Sequence, residues 1–182
     1  MTVESVVKTA AELVGIDGPV TAYWEGGDAE GKRAVDALLG CLHLVEMELA
    51  SEHFPLANEE EIQSDGTVYF EELSQRPLKI VAVKDGSGAQ VEHRVFPLYL
   101  SMPKGKYTVE YHYLPMKKGE GEELEFDAAV TTALVAYGVA AQYSRIVGLY
   151  EEASVWEEKF RRAIAAAKPL AKGLAMRARN WN

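Results

Sequence analysis

Residues 148–164 read "GLYEEASVWEEKFRRAI". Gly148 interrupts a run of helix-forming residues, and an acidic helix follows it. Trp156 and Phe160 are four residues apart, so they share one stripe of that helix. The segment is compatible with one unit of a helical repeat array, with one hairpin of a single bundle, or with part of a family that has a more particular function.

A repeat array is disfavoured because the segment has no second copy. Its start, "GLYEEA", has the glycine, aromatic residue and alanine that a tetratricopeptide repeat shows near its turn. No similar segment recurs at a period of about 34 residues, whereas stacked repeats need about three copies to bury their faces. The segment is therefore interpreted as the turn and closing helix of one hairpin.

Aromatic side chains are predicted to anchor this closing helix in a core. Trp156 and Phe160 lie on its apolar stripe, and Tyr150 stands at its beginning. Gly138 and Ala141 on the preceding helix are small enough for Trp156 and Tyr150 to approach closely. Burying one large aromatic side chain contributes roughly 1.5–3 kcal/mol, so all three aromatic residues are predicted to be core residues.

The beginning of the chain predicts a first helix and then a break. Residues 2–15 place apolar side chains at steps of three and four. Thr2 is a candidate N-cap and Gly15 a candidate stop. The following stretch, "GIDGPVTAYWEGG" at residues 15–27, contains several glycines and a proline, which are typical of a helix break.

A second helix is predicted from about residue 28 to about residue 53. Its apolar stripe includes Leu38 and Leu42, which are predicted to be core residues of a bundle. Pro55 cannot continue a helix, and the Asp65-Gly66 pair after it indicates a turn.

The hydrophobic period changes at Thr67. Four segments rich in β-branched and aromatic residues predict strands: "TVYFEEL", "LKIVAVKD", "VEHRVFPLYLSM" and "KYTVEYHYL". In the last segment, Tyr107, Val109, Tyr111 and Tyr113 alternate with polar residues and share one face. These segments predict a small antiparallel sheet with one buried face.

The helical period returns after a polar linker, and Asp127 is a candidate cap for a helix that runs to about Val147. The element order then predicts an α+β protein, an antiparallel helical bundle from both chain ends with a small antiparallel β-sheet insertion. The expected parts are 1–64, the N-terminal half of the bundle; 65–123, the β-insertion; 124–168, the C-terminal helical hairpin; and 169–182, a basic tail.

Charge is distributed unevenly along the chain. The net charge is −9, which disfavours a general nucleic-acid binder because such proteins neutralise phosphates with Lys and Arg. Four of the 19 basic residues and none of the 28 acidic residues lie in residues 168–182. The remainder has 15 bases against 28 acids, a net charge of −13. The basic tail is interpreted either as an interaction arm or as a solvated terminus.

Composition also narrows the class of protein. No apolar run approaches the roughly 20 residues that span a bilayer, so no membrane association is expected. The first residues lack the basic start and apolar core of a secretory signal. Cys41 is the only cysteine, so no disulfide can form within one chain. These features predict a cytoplasmic, or cytoplasmically assembled, protein.

No residue pattern predicts catalysis, a cofactor or a metal. His43 and Glu46 have i,i+3 spacing on the second predicted helix. Metal-carboxylate bundles use a Glu-x-x-His pair from each of two helices, however, and here the order is reversed and the last two helices contain no histidine. A solvated acidic face is the favoured interpretation, and the protein is expected not to be an enzyme.

Residues 132–167, "TALVAYGVAAQYSRIVGLYEEASVWEEKFRRAIAAA", lead to a family resemblance. A helix with small and aromatic residues, a glycine-containing turn and an acidic helix follow a β-segment and a polar linker. This order resembles the head–tail adaptor (connector) proteins of tailed phages, in particular the group of tail tubular protein A. The resemblance covers about residues 30–165 and includes the second predicted helix.

The resemblance implies a bacteriophage or prophage structural protein without catalysis. Such an adaptor would form a homo-oligomeric ring under the portal, with portal and tail proteins as partners and DNA passing through without specific binding. It would be located in the virion, and in the host cytoplasm during assembly. Arg177, Arg179 and Trp181 would then contact the portal, since Arg and Trp are typical interface anchors. The alternatives are another phage tail or baseplate component, or a helical-hairpin protein-interaction module.

Overall fold

The computed structural model describes residues 1–27 and 29–168. Within these residues the protein is α+β, with five α-helices and two three-stranded antiparallel sheets. The helices are α1 Val3–Val14, α2 Asp17–Gly26, α3 Ala29–Glu48, α4 Thr132–Ile146 and α5 Tyr150–Ala167. The strands are β1 Leu56–Ser64, β2 Thr67–Tyr69, β3 Pro77–Lys84, β4 Arg94–Val95, β5 Tyr99–Ser101 and β6 Gly105–Tyr113.

The limits of α1 follow from its sequence, and the two predicted end signals are confirmed. The Thr2 hydroxyl accepts a hydrogen bond from the amide of Ser5 at 3.2 Å, which caps the helix. Gly15 ends it with a φ of 73°, a left-handed conformation that glycine adopts without a steric penalty. The apolar stripe is buried over Val3, Val6, Val7, Ala10 and Ala11.

The predicted break at residues 15–27 is wrong, because most of this stretch forms α2. Pro19 lies in the first turn, where the backbone amides have no partner within the helix and the missing N–H therefore costs nothing. Helix α2 packs against α3. A Cβ built on Gly31 of α3 would lie 2.8 Å from the Cβ of Tyr23, so the glycine allows this close crossing.

Strand β1 occupies a stretch for which no strand was predicted. It pairs with β6 along its whole length, from Leu56 opposite Tyr113 to Ser64 opposite Gly105. The preceding helix α3 ends at Glu48 and is followed by a π-helical turn, Leu49–His53. The sheet therefore begins before the predicted boundary at residue 65.

The six strands form two sheets rather than one. The strand orders are β1-β6-β3 and β2-β5-β4. The predicted strand at residues 91–102 is divided into β4 and β5, with Pro97 in the connection between them. The amide of Phe96 donates to the carbonyl of Tyr99 at 2.9 Å and closes this tight turn.

The predicted buried face of β6 is confirmed. Tyr107, Val109 and Tyr111 are buried, and Tyr113 packs against the same cluster from a partly buried position. Val68 and Leu100 of the second sheet belong to this cluster. The two sheets thus share one apolar core, distinct from the core formed by the helices.

Helix α4 begins later than predicted. Asp127 accepts a hydrogen bond from the amide of Ala129 at 2.9 Å in a turn before the helix. The N-cap is Thr131, whose hydroxyl accepts from the amide of Leu134 at 3.2 Å. A Thr at this position satisfies an amide that the first helical turn leaves unpaired.

The prediction of an antiparallel helical bundle from both chain ends with one small β-insertion is wrong. There are five helices rather than four within the described residues, and they do not form that bundle. Helix α4 packs against α1, α3 and α5, whereas α2 packs against α3. A β-sheet core is central, because the two sheets bury Tyr111, Val109 and Leu100 among themselves.

Candidate interaction surfaces

The residues predicted to anchor the helical core fall into two groups. Leu38 and Leu42 of α3 and Phe160 of α5 are buried in the helical core. Tyr150 is 71% exposed, so its prediction as a core residue is wrong. It is the first residue of α5, in the hairpin that follows Ile146, the last residue of α4.

Trp156 is only partly buried, and it is not held by the small residues that were predicted to receive it. Its ring stacks on Tyr137 of α4, with centroids 6.0 Å apart and planes 13° apart. The ammonium of Lys159 lies 4.3 Å from the Trp156 ring centroid, a cation–π contact. Gly138 instead makes room for Phe160.

The turn between α4 and α5 exposes a group of apolar side chains, here named the hairpin-tip patch. It consists of Ile146, Val147, Leu149 and Tyr150. Gly148 has a φ of 84° and turns the chain so that these neighbours lie at the end of the hairpin. Ile146 is 66% exposed, and apolar patches of this kind mark sites of protein–protein contact.

A second exposed apolar surface, here named the aromatic patch, lies on the β2-β5-β4 sheet. Its members are Tyr69, Phe96, Leu98 and Tyr99. Phe96 stacks on Tyr99 with centroids 4.6 Å apart, and Tyr69 lies 5.9 Å from the same ring. Leu98 is 67% exposed and lines a cavity of about 540 Å³ beside the patch. The other residues that line this cavity are Tyr69, Phe70, Glu71, Leu73, Arg76 and Pro97.

A third feature, here named the junction pocket, lies where the helical and sheet parts of the chain meet. Its volume is about 330 Å³, and it is lined by His53, Phe54, Pro55, Leu56, Ala57, Tyr113, Glu125, Phe126 and Asp127. The Tyr113 hydroxyl donates to Glu125 at 2.6 Å, and Lys118 forms an ion pair with the same carboxylate. Burial and this hydrogen bond to Glu125 raise the pKa of Tyr113 to about 12.

Glu46 is a buried acid within the helical core. It is 1% exposed, and neither carboxylate oxygen has a hydrogen-bond partner among residues 1–27 and 29–168. Burial raises the pKa of Glu46 to about 7; the nearby charge of Lys118 opposes this rise, and those of Glu125 and Glu122 add to it. The predicted solvated acidic face is therefore wrong at this residue, because the face of α3 that carries Glu46 is covered.

Among residues 1–27 and 29–168, no group of three or more His, Cys, Asp or Glu side chains is arranged to hold a metal ion. No described helix is both long enough and apolar enough to cross a lipid bilayer.

The residues predicted to bind the portal, Arg177, Arg179 and Trp181, lie outside the described residues. The hairpin-tip patch and the aromatic patch were not predicted. The first had a readable signal, since three aliphatic residues flank Gly148 at a turn where polar residues are usual. The second had none, because Leu98 and Phe96 belong to a segment that looked like one continuous strand.

No protein-family model matches the chain, and no curated protein matches its sequence. The family resemblance therefore rests on the residues 132–167 and on the order of elements in the sequence.

Proposed function

We propose that this protein is a virion structural protein, a head–tail adaptor that assembles as a ring under the portal around the DNA channel. It would be made and assembled in the host cytoplasm and retained in the virion. The observation that carries the proposal is the hairpin-tip patch. A helical hairpin that exposes Ile146, Val147, Leu149 and Tyr150 at its end is suited to contact with another protein chain.

The two exposed patches support a head-to-tail contact between copies. The hairpin-tip patch belongs to the helices, and the aromatic patch belongs to the β2-β5-β4 sheet, so one chain carries two different apolar surfaces. Contact between two different surfaces is heterologous, and such contacts generate rings when the rotation closes. We place the hairpin-tip patch of one copy against the aromatic patch of the next.

The charge of the chain supports a channel through which DNA passes. The net charge is −9, and Glu59 and Glu61, the latter paired with Lys106, are exposed on β1, an edge strand of its sheet. Phosphate binding by proteins depends mainly on Lys and Arg, so an acidic wall does not hold DNA. DNA would move past such a ring without specific binding.

We further propose that residues 169–182 bind the portal. Arg177, Arg179 and Trp181 provide two cations and one large aromatic side chain, the residue types that dominate protein interfaces. Removing residues 169–182 should abolish binding to the portal while rings still form. Unchanged portal binding by the shortened chain would refute this part of the proposal.

The ring contact is tested by mixing two variants. The tip variant carries Ile146→Ser and Tyr150→Ser, and the sheet variant carries Phe96→Ser and Leu98→Ser. Each keeps one intact surface, so neither should form rings with itself. An equal mixture should form pairs, because the intact aromatic patch of the tip variant can bind the intact tip of the sheet variant.

Native mass spectrometry and negative-stain electron microscopy provide the measurement. Leu44→Ser is the matched control, since Leu44 is an exposed apolar residue of α3 outside both patches. Rings with the control and pairs with the mixture are the expected results. Rings formed by either double variant would contradict the proposed contact.

The hairpin-tip patch alone also favours a second candidate, a helical-hairpin module that binds one partner. In that case the protein would stay monomeric and bind a single peptide or protein through Leu149 and Tyr150. Another tail or baseplate component would instead assemble with tail proteins and not with the portal. Sedimentation velocity with portal protein and with tail proteins separates these three outcomes.

A further inference from the structure

The cavity of about 540 Å³ beside the aromatic patch carries charge as well as apolar walls. Arg76 and Glu71 both line it, and both are exposed. Neither side chain has a hydrogen-bond or ion-pair partner among residues 1–27 and 29–168. The cavity therefore combines the apolar side chains of Leu73 and Leu98 with one unpaired cation and one unpaired carboxylate.

The tip of the helical hairpin carries side chains that complement this cavity. Tyr150 is 71% exposed, and Glu151 and Glu152 follow it directly in the sequence. Both glutamates are exposed, and their side chains have no partner in the part of the chain that the structure describes. Glu157 and Glu158, further along α5, are by contrast held in ion pairs with arginines of the same hairpin. The unpaired acids of α5 thus lie next to the exposed aromatic ring of the tip.

We propose that the cavity receives the Tyr150 ring of a neighbouring copy. The hydroxyl of that ring donates to Glu71, and the guanidinium of Arg76 pairs with Glu151 and Glu152 of the same copy. The inference rests on the proposed head-to-tail contact, and it names the side chains that fix the orientation of that contact.

The chemistry of each partner fits its place. A tyrosine suits a cavity with apolar walls and one carboxylate, because its ring is apolar and its hydroxyl needs a partner when buried. Arginine binds carboxylates through a rigid fork of N–H groups, which makes the contact directional. Complementary charges fix the register of two partners, whereas like charges at an interface oppose binding. A fixed rotation between copies is what a closed ring requires.

A double-mutant cycle on the whole chain tests the pairing. The tip variant supplies an intact Arg76, and the sheet variant supplies an intact tip, so the two meet in one defined contact once its apolar part is retained by the partner. Arg76→Glu is added to the tip variant and Glu151→Lys/Glu152→Lys to the sheet variant, and calorimetry measures all four combinations. Either change alone brings like charges together and should weaken binding at least about tenfold. Both changes together restore opposite charges and should bring the affinity back to within about threefold of its starting value.

Two further variants complete the test. Tyr150→Phe in the sheet variant keeps the ring but leaves Glu71 without its donor, and it should weaken binding about tenfold. Arg33→Glu in the tip variant is the matched control, since Arg33 is an exposed arginine of α3 that does not line the cavity. It changes the net charge as Arg76→Glu does and should weaken binding less than about twofold.

Three results would overturn the inference. Additive losses in the cycle, without recovery in the charge-swapped pair, would show that Arg76 does not face Glu151 and Glu152, while the head-to-tail contact itself would stand. Equal losses for Arg76→Glu and Arg33→Glu would reduce the effect to net charge. An absence of binding between the tip and sheet variants before any charge is changed would overturn the proposed head-to-tail contact, and the inference with it.

Discussion

Gly138 of α4 lies directly against the ring of Phe160 of α5. A Cβ built on Gly138 would be 2.9 Å from Cε2 of Phe160 and 2.8 Å from Cγ1 of Val45. Both distances are shorter than carbon atoms tolerate, so the absence of a side chain is what lets α3, α4 and α5 meet at this point.

Gly138→Ala should lower the free energy of unfolding by about 1–3 kcal/mol, the usual cost of an overpacked core. Alanine has the better helix propensity by up to about 1 kcal/mol, so the sign of the change reports packing rather than propensity. Gly40→Ala on α3 is the matched control, because a Cβ there would meet no atom within 4 Å. Urea denaturation should show the control stabilised; a stabilised Gly138→Ala would contradict the packing argument.

The pKa of Glu46 predicts a dependence of stability on pH. Its ordinary value of 4.5 applies to the unfolded chain, and burial raises it to about 7 in the folded protein. The folded state therefore holds the proton more tightly. The stability that this tighter proton binding gives the folded state is fully present below about pH 4.5. It is lost as pH rises towards 7, and the loss is up to about 3 kcal/mol at about 1.36 kcal/mol per pKa unit.

Glu46→Gln should remove this loss of stability with rising pH. Between pH 4.5 and pH 8 the unfolding free energy of the variant should therefore rise relative to that of the wild type. Glu12→Gln, on the exposed side of α1, is the control and should leave the difference constant. Thermal or urea denaturation across this pH range provides the measurement. Parallel curves for the wild type and Glu46→Gln would show that Glu46 is not buried as described.

The hairpin-tip patch predicts a loss of association without a loss of stability. Tyr150→Ser removes a side chain that is 71% exposed and should change the unfolding free energy by less than about 0.5 kcal/mol, whereas Leu149→Ser, at a residue that is 44% exposed, should cost up to about 1 kcal/mol. Binding to the neighbouring copy should weaken at least tenfold, the effect of about 1.4 kcal/mol at an interface. Calorimetry measures this binding when each substitution is added to the sheet variant, which is then titrated into the tip variant; an unchanged affinity would exclude the hairpin-tip patch from the interface.

Tyr111 predicts a stability effect in the sheet core. Its buried hydroxyl donates to Glu60 at 2.7 Å and accepts from the side-chain amide of Asn58 at 2.9 Å and from the amide of Gln75 at 3.2 Å. Tyr111→Phe removes these three hydrogen bonds and should cost about 1–3 kcal/mol. Asn58 and Glu60 keep their bonds to Ser74, whereas the amide of Gln75 loses the bond to the Tyr111 hydroxyl. Tyr150→Phe, at an exposed position, should be neutral; equal effects of the two substitutions would contradict the network.

Elements with strong local signals were predictable. The caps and apolar stripe of α1 and the alternation of β6 depend on neighbours in sequence, and both were confirmed at Thr2, Gly15 and Tyr111. Strand β1 was missed because "LANEEEIQS" has few β-branched residues. Its conformation comes from pairing with β6, which lies far away in the sequence. Helix α2 was missed because Pro19 in a first turn resembles a break.

The sequence by itself determined the local elements that carry their own end signals, the acidic balance of the chain and the glycine turn at Gly148. The tertiary structure alone decided which apolar residues are buried. Periodicity places Tyr150 and Phe160 on helices without stating what lies opposite them. In the fold Phe160 packs against Gly138 and is buried, whereas Tyr150 lies at the exposed end of the hairpin. Burial depends on contacts between distant segments, so the candidate interaction surfaces emerged only from the fold.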